Sequence, residues 1–176
     1  KFTQKDTTTK VYTETREIVN DTTLVEISKT TITGDKELPG AELSVIDENG
    51  KVIDKWTSSN KAHTIEGLTV GKEYTLREDL APLGYVKATD IEFTVSKDKE
   101  TQKIEMIDKV VLVSKTDLVT GEELPGAELE VTDKEGNVID KWTSTNEPHH
   151  VTGLEEGKEY TLTEKTCPYG YEVAES

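Results

Sequence analysis

Apolar and polar residues alternate along this chain with a period of two, in short runs rich in Val, Ile, Thr, Tyr and Trp that Gly, Asn and Asp interrupt; helical periodicity is absent. The alternation predicts strands near 24–30, 42–47, 51–57, 63–66, 73–79, 90–96 and 102–108. "DENG" at 47–50 and "DKEG" at 133–136 fit hairpin turns in which Gly takes a positive φ, and "PLGY" at 82–85 and "PYGY" at 168–171 fit a second turn type. Many short alternating strands separated by turns predict an all-β sandwich.

The pattern occurs twice. Sliding the chain by 86 residues superposes 24–90 on 110–176 without a gap, with 36 of 67 positions identical. "ELPGAEL" recurs at 37–43 and 123–129, "VIDKWTS" at 52–58 and 138–144, and "GKEYTL" at 71–76 and 157–162. The expected organisation is a complete repeat over 22–109 and a second over 110–176 lacking its last strands. Residues 1–21 read as the last two strands of a preceding repeat, or as a donor strand, because "FTQKD" resembles "FTVSKD" at 93–98 and "REIVND" resembles "IEMIDK" at 104–109. The link from Asp108 to Val111 is very short, so the repeats are expected to follow each other stiffly.

Composition narrows the function. Only 32% of residues are hydrophobic, so each repeat has a thin core, and domains of this size usually need extra stabilisation. A single Cys167 excludes an intrachain disulfide. The net charge of −15 argues against nucleic acid and anionic membrane surfaces as partners. No apolar run is long enough to span a bilayer and no signal peptide is visible, so a secreted protein would be represented here by a mature internal fragment.

The strand pattern also singles out three charged residues. Alternate side chains of a strand share a face, so Lys29 points with Val25 and Ile27, Glu78 with Tyr74 and Leu76, and Asp108 with Ile104 and Met106. Most lysines and acids of a chain that is 32% charged coat solvent faces, but these three would be aimed at an apolar interior, where charge is costly unless paired or neutralised. Burial disfavours charge on amine and acid alike, and a neutral amine beside a protonated carboxyl can form a covalent bond. The shift of 86 carries Lys29 to Lys115 and Glu78 to Glu164, whereas Asp108 would fall on position 194, beyond the sequence.

The strings "ELPGAEL", "WTSxNxxH" and above all "YTLxExxxPxGY" resemble the collagen-adhesin B-type (SpaA-like pilin) repeats of Gram-positive surface proteins, over all of 22–109 and over 110–176 as far as it runs. "YTLREDLAPLGY" at 74–85 looks like the glutamate-bearing E-box of that family. The resemblance implies tandem immunoglobulin-like or prealbumin-like β-sandwiches, each closed by a spontaneous isopeptide bond from a first-strand Lys to a last-strand Asn or Asp. Carried over, Lys29 is the amine, Glu78 the catalytic acid and Asp108 the acceptor. In the second repeat Glu164 is the catalytic acid and Lys115 an unpaired amine; Asn20, or else Asp21, is the candidate acceptor of a preceding repeat. No cofactor and no metal are implied.

Other residues carry plainer readings. Trp56 and Trp142 are expected in the cores. His63 and His149 align, with His150 beside the latter; without carboxylate or Cys at ligand spacing, hydrogen bonding is expected rather than metal binding. Cys167, aligned with Ala81, is either a small buried residue or a site for an intermolecular link.

The sequence thus points to a structural stalk module of a Gram-positive adhesin or pilin, extracellular and wall-anchored, whose partners are neighbouring repeats. A second reading is an adhesin module that contacts host extracellular-matrix protein. A third is a small hydrolase using Glu78 and Asp108, which would need an open pocket around the pair. The second repeat is either a cut fragment, or completed by a strand from elsewhere, or completed by residues 1–21 of another molecule joined from Asn20 to Lys115.

Overall fold

A computed structural model describes residues 22–34, 36–97 and 100–174; Asn20 and Asp21 lie outside them. The described residues form strands, turns and irregular segments with no helix. The first module contains β1 (Leu24–Thr31), β2 (Glu42–Asp47), β3 (Val52–Thr57), β4 (His63–Glu66), β5 (Glu73–Leu80), β6 (Ile91–Thr94) and β7 (Gln102–Asp108). All seven lie within two residues of the strand ends expected from the alternation.

Burial follows the period of two. β1 buries Val25, Ile27 and Lys29, β5 buries Tyr74, Leu76 and Glu78, and β7 buries Met106 and Asp108. The turn after β2 is closed by Asp47, whose Oδ1 accepts from Asn49 N (2.9 Å) and Lys51 N (3.0 Å), while Gly50 takes φ +76° at no steric cost.

Two sheets face each other, ordered β4-β1-β7 and β3-β2-β5-β6. β1 runs antiparallel to β4 but parallel to β7. Parallel neighbours need a long crossover, and here β2 to β6, the whole second sheet together with β4, make it. The first and last strands of the module thereby become neighbours. Val25, Ile27, Leu43, Val45, Leu76 and Met106 fill the space between the sheets, each contributing about 1.5–3 kcal/mol by leaving water.

The second module contains β8 (Leu112–Val113), β9 (Glu128–Asp133), β10 (Val138–Thr143), β11 (His149–His150) and β12 (Tyr160–Thr166), paired as β10-β9-β12 and β11-β8. Among the described residues β8 has only β11 beside it, where β1 has both β4 and β7. The second core consists of Val131, Val151 and Leu154 together with Val86, which the first module supplies.

Candidate functional site

Register places the inward-facing charges. Lys29 stands opposite Met106 in the parallel ladder, and Thr31 opposite Asp108. Lys29 and Asp108 are therefore diagonal neighbours on one face, within reach for a long side chain. Glu78 arrives from the facing sheet, opposite Leu43 of β2.

The three groups meet in the interior, exposed by 1% (Lys29), 0% (Glu78) and 1% (Asp108). Lys29 Nζ hydrogen-bonds Asp108 Oδ1 and lies 3.0 Å from Glu78 Oε1. Glu78 Oε1 and Asp108 Oδ2 are both buried without a hydrogen-bond donor. The other Glu78 oxygen, Oε2, accepts from Ala88 N at 2.7 Å. Burial pushes the Asp108 carboxyl up to about 6, against the pull of Lys29, and the neighbouring Glu78 carboxyl pushes the same way. The enclosure leaves no opening for a substrate, contrary to what a hydrolase using Glu78 and Asp108 requires.

Two positioning groups were not legible as such in the sequence. Beyond Ile27 the β1–β4 ladder ends, and residues of the "ELPGAEL" string take over that edge of β1. Glu37 Oε2 accepts from Lys29 N (2.9 Å), and Leu38 N donates to Lys29 O (2.6 Å). Ser58 fixes the string in turn, accepting from Ala41 N (2.8 Å) and donating to Leu38 O (2.7 Å). The second positioning group is Ala88 N, which holds Glu78. The signal for Glu37 was its recurrence eight residues after each lysine, because Glu123 Oε2 likewise accepts from Lys115 N, at 3.2 Å.

The second module repeats the amine and the acid. Lys115 Nζ lies 3.4 Å from Glu164 Oε1, and Glu164 Oε2 accepts from Ala174 N at 2.6 Å. Glu164 Oε1 is buried without a hydrogen-bond partner, as Glu78 Oε1 is. Among the described residues no strand runs parallel to β8, so Asp108 has no counterpart beside Lys115.

The histidines belong to a different device. His63 stacks on Trp56 and His149 on Trp142, both pairs with ring centroids 4.1 Å apart, and both tryptophans pack partly buried against their cores. His63 Nε2 is 2.8 Å from Asp54 Oδ2, and His149 Nε2 is 3.0 Å from Asp140 Oδ2. Asp140 Oδ2 additionally accepts from Thr152 N (2.8 Å) and Thr152 Oγ1 (3.2 Å). Burial opposes ionisation of Asp140, but the Thr152 N–H and His149 hold its carboxyl below the usual range. Half-buried Cys167 donates through Sγ to Tyr171 O. Among the described residues no cluster of three or more His, Cys, Asp or Glu is arranged to hold a metal ion, and no helix is long and apolar enough to cross a membrane.

The family described as SpaA, prealbumin-like fold domain, matches residues 23–110 and again 109–176. No curated protein matches the chain. Among solved structures it is similar to the Bacillus anthracis TIE protein, with 25% identity and a TM-score of 0.45 over 88% of this chain and 30% of that one. It is similar to a streptococcal ancillary pilin, with 21% identity and a TM-score of 0.46 over 89% of this chain and 57% of that one. The shaft pilin SpaA of Lactobacillus rhamnosus GG gives 16% identity and a TM-score of 0.42 over 88% and 91% of the two chains. The chain thus spans 30% and 57% of the first two proteins' lengths.

Proposed function

The chain belongs to the SpaA family of prealbumin-like fold domains, and on that basis we propose that it is a stalk segment of a Gram-positive surface protein, its first module locked by an autocatalytic Lys29–Asp108 isopeptide bond. The observation that carries this reading is the amine of Lys29 held against the Asp108 carboxyl, with Glu78 3.0 Å away, in an interior closed to water.

In the bond-forming step a proton passes from the Lys29 ammonium to the acids around it, leaving a neutral nucleophile. Lys29 Nζ attacks Asp108 Cγ while protonated Glu78 hydrogen-bonds the carbonyl oxygen and polarises it. Glu78 then gives its proton to the departing hydroxyl and, as the carboxylate, takes one from nitrogen, which restores its protonated form. One C–N bond forms, one C–O bond breaks, and one water leaves. No oxidant, metal or cofactor enters the balance. The fold supplies the proximity, which is worth several kcal/mol of barrier. The reaction happens once per molecule, so the module is a self-modifying structure and not an enzyme.

The bond closes a loop of 79 residues and joins the module's first strand to its last. Force applied along the stalk enters at β1 and leaves at β7, so the cross-link carries it past the rest of the fold, and an amide is indifferent to reductants. In this reading 22–109 is one full repeat, 110–176 belongs to a second that carries the amine Lys115 and the acid Glu164, and 1–21, outside the described residues, belongs to a preceding one. Its partners are the neighbouring repeats, and its place is outside the cell on the wall.

Intact mass under denaturing conditions tests the proposal. The wild type is expected one water lighter than its sequence, and Glu78→Ala at full mass; a wild type at full mass would sink it. A second loss of water or ammonia would assign an acceptor to Lys115 as well.

A further inference from the structure

The segment 86–88 belongs to the first module by sequence but is held by both. Val86 is 8% exposed, and its side chain is packed with Val131, Val151 and Leu154 in the core of the second module. Lys87 directs both backbone groups the same way: Lys87 N donates to Leu154 O (2.9 Å), and Glu156 N donates to Lys87 O (2.8 Å). In an extended segment the flanking residues turn their backbone groups to the opposite side. There Val86 N donates to Lys109 O (2.8 Å), and Ala88 N donates to Glu78 Oε2 (2.7 Å). Lys109, the residue after Asp108, also pairs through Nζ with Glu156 of the second module.

The second module therefore grips the peptide segment that aims Glu78, and the residue that follows the acceptor Asp108. The sequence of the second repeat differs at this point: Glu172 stands where the first has Val86, and it is exposed. We infer that the second module is a positioning element for cross-linking in the first, its Leu154–Glu156 clasp on Val86–Ala88 fixing the Ala88 N–H and so the Glu78 carboxyl against Lys29. The inference rests on the Lys29–Asp108 reading above. It gives assembly an order: a module acquires its permanent bond fastest once its neighbour has folded onto it, and a repeat whose junction is unmade locks more slowly.

The test follows the full chain as it is made. Wild type, Val86→Asp and Val86→Ile are synthesised in a cell-free system, quenched in denaturant at intervals, and scored by mass for the fraction one water lighter. Val86 packs in the second core, so Val86→Asp releases the junction by burying a carboxylate there, while Val86→Ile keeps it. Val86→Asp is expected to cross-link about ten-fold or more slowly, the scale on which small misplacements act, and Val86→Ile to restore the wild-type rate. Amide hydrogen exchange supplies the readout that a general loss of stability would not move: Ala88 N–H loses protection in Val86→Asp while the β2 and β5 amides keep theirs. Equal cross-linking rates for wild type and a Val86→Asp protein whose Lys87 N–H exchanges freely would overturn the inference. Loss of protection across β2 and β5 in Val86→Asp would overturn it too, since Val86 would then serve the first module's own fold. A wild type that never loses water defeats the isopeptide reading itself and is told apart by that fact.

Discussion

Lys29 and Asp108 are 79 residues apart in sequence and diagonal neighbours on one face of the β1–β7 ladder, because the parallel pairing sets Lys29 opposite Met106 and Asp108 opposite Thr31. The long Lys side chain spans the two-residue offset, so the pair meets without distortion of either strand.

Replacing Lys29 by Arg separates charge from nucleophilicity. Arg keeps the positive charge beside Asp108 but stays protonated in proteins. Lys29→Arg is expected at full mass, with the first module less stable by about 4–5 kcal/mol if the cross-link acts as a loop closure of this length. Chemical denaturation of wild type and variant, each checked for mass, measures the difference.

Glu37 accepts from the Lys29 backbone N–H and, in the proposed cross-linking, acts by positioning the lysine. Glu37→Ala leaves Lys29 N–H without its acceptor, at a cost of about 1–3 kcal/mol for a buried group, and loosens β1 at the residue that must hold still. Slower water loss is expected on a time course, with the final mass unchanged. Glu37→Gln, which keeps an acceptor oxygen in place, is expected to lie between the two.

The Asp108 carboxyl gives the unlinked module a pH signature. Its ordinary value is 3.8 and burial pushes it up to about 6, so between these values the folded state holds a proton that the unfolded state has released. Stability from this group is therefore fully present below about 4 and is lost as pH rises through about 6. In the Glu78→Ala background Asp108 stays free and keeps burial, the largest cause of its shift, but loses the push of Glu78, so moving from pH 7 to pH 5 is expected to stabilise the module relative to Glu78→Ala/Asp108→Asn. Paired urea titrations at the two pH values read this out; an identical pH response in both proteins would contradict it.

The two Trp–His–Asp sets differ in what the aspartate holds. Asp54 accepts from His63 and from its neighbour Lys55 N (2.8 Å), whereas Asp140 ties His149 to both the N–H and the hydroxyl of Thr152. Asp140→Ala strands a partly buried N–H and is expected to cost the second module about 1–2 kcal/mol, more than Asp54→Ala costs the first. Thermal unfolding followed by the Trp142 or Trp56 signal in single-Trp backgrounds compares them.

Local signals are enough for the strands, because a period of two is written in the order of residue types and needs no knowledge of the partner strand. The same alternation sets Lys29, Glu78 and Asp108 on inward faces, so each stands out as a charge in an apolar register. The repeat discloses Lys115 and Glu164 by alignment alone. Glu37 recurs as plainly in the sequence, yet its task does not show, since a carboxylate accepting from a backbone N–H leaves no pattern in residue type.

Residue order alone carries the all-β class, the two repeats, the strand positions and the identity of the three inward-facing charges. The closed fold adds what that order leaves open: β1 pairs in parallel with β7, Glu78 reaches across from the facing sheet, and Val86 leaves its own module for the core of the next. Side-chain alternation is a property of one strand and is fixed wherever that strand forms. Pairing, sheet facing and module docking depend instead on which apolar surfaces cover each other once the chain has closed on itself.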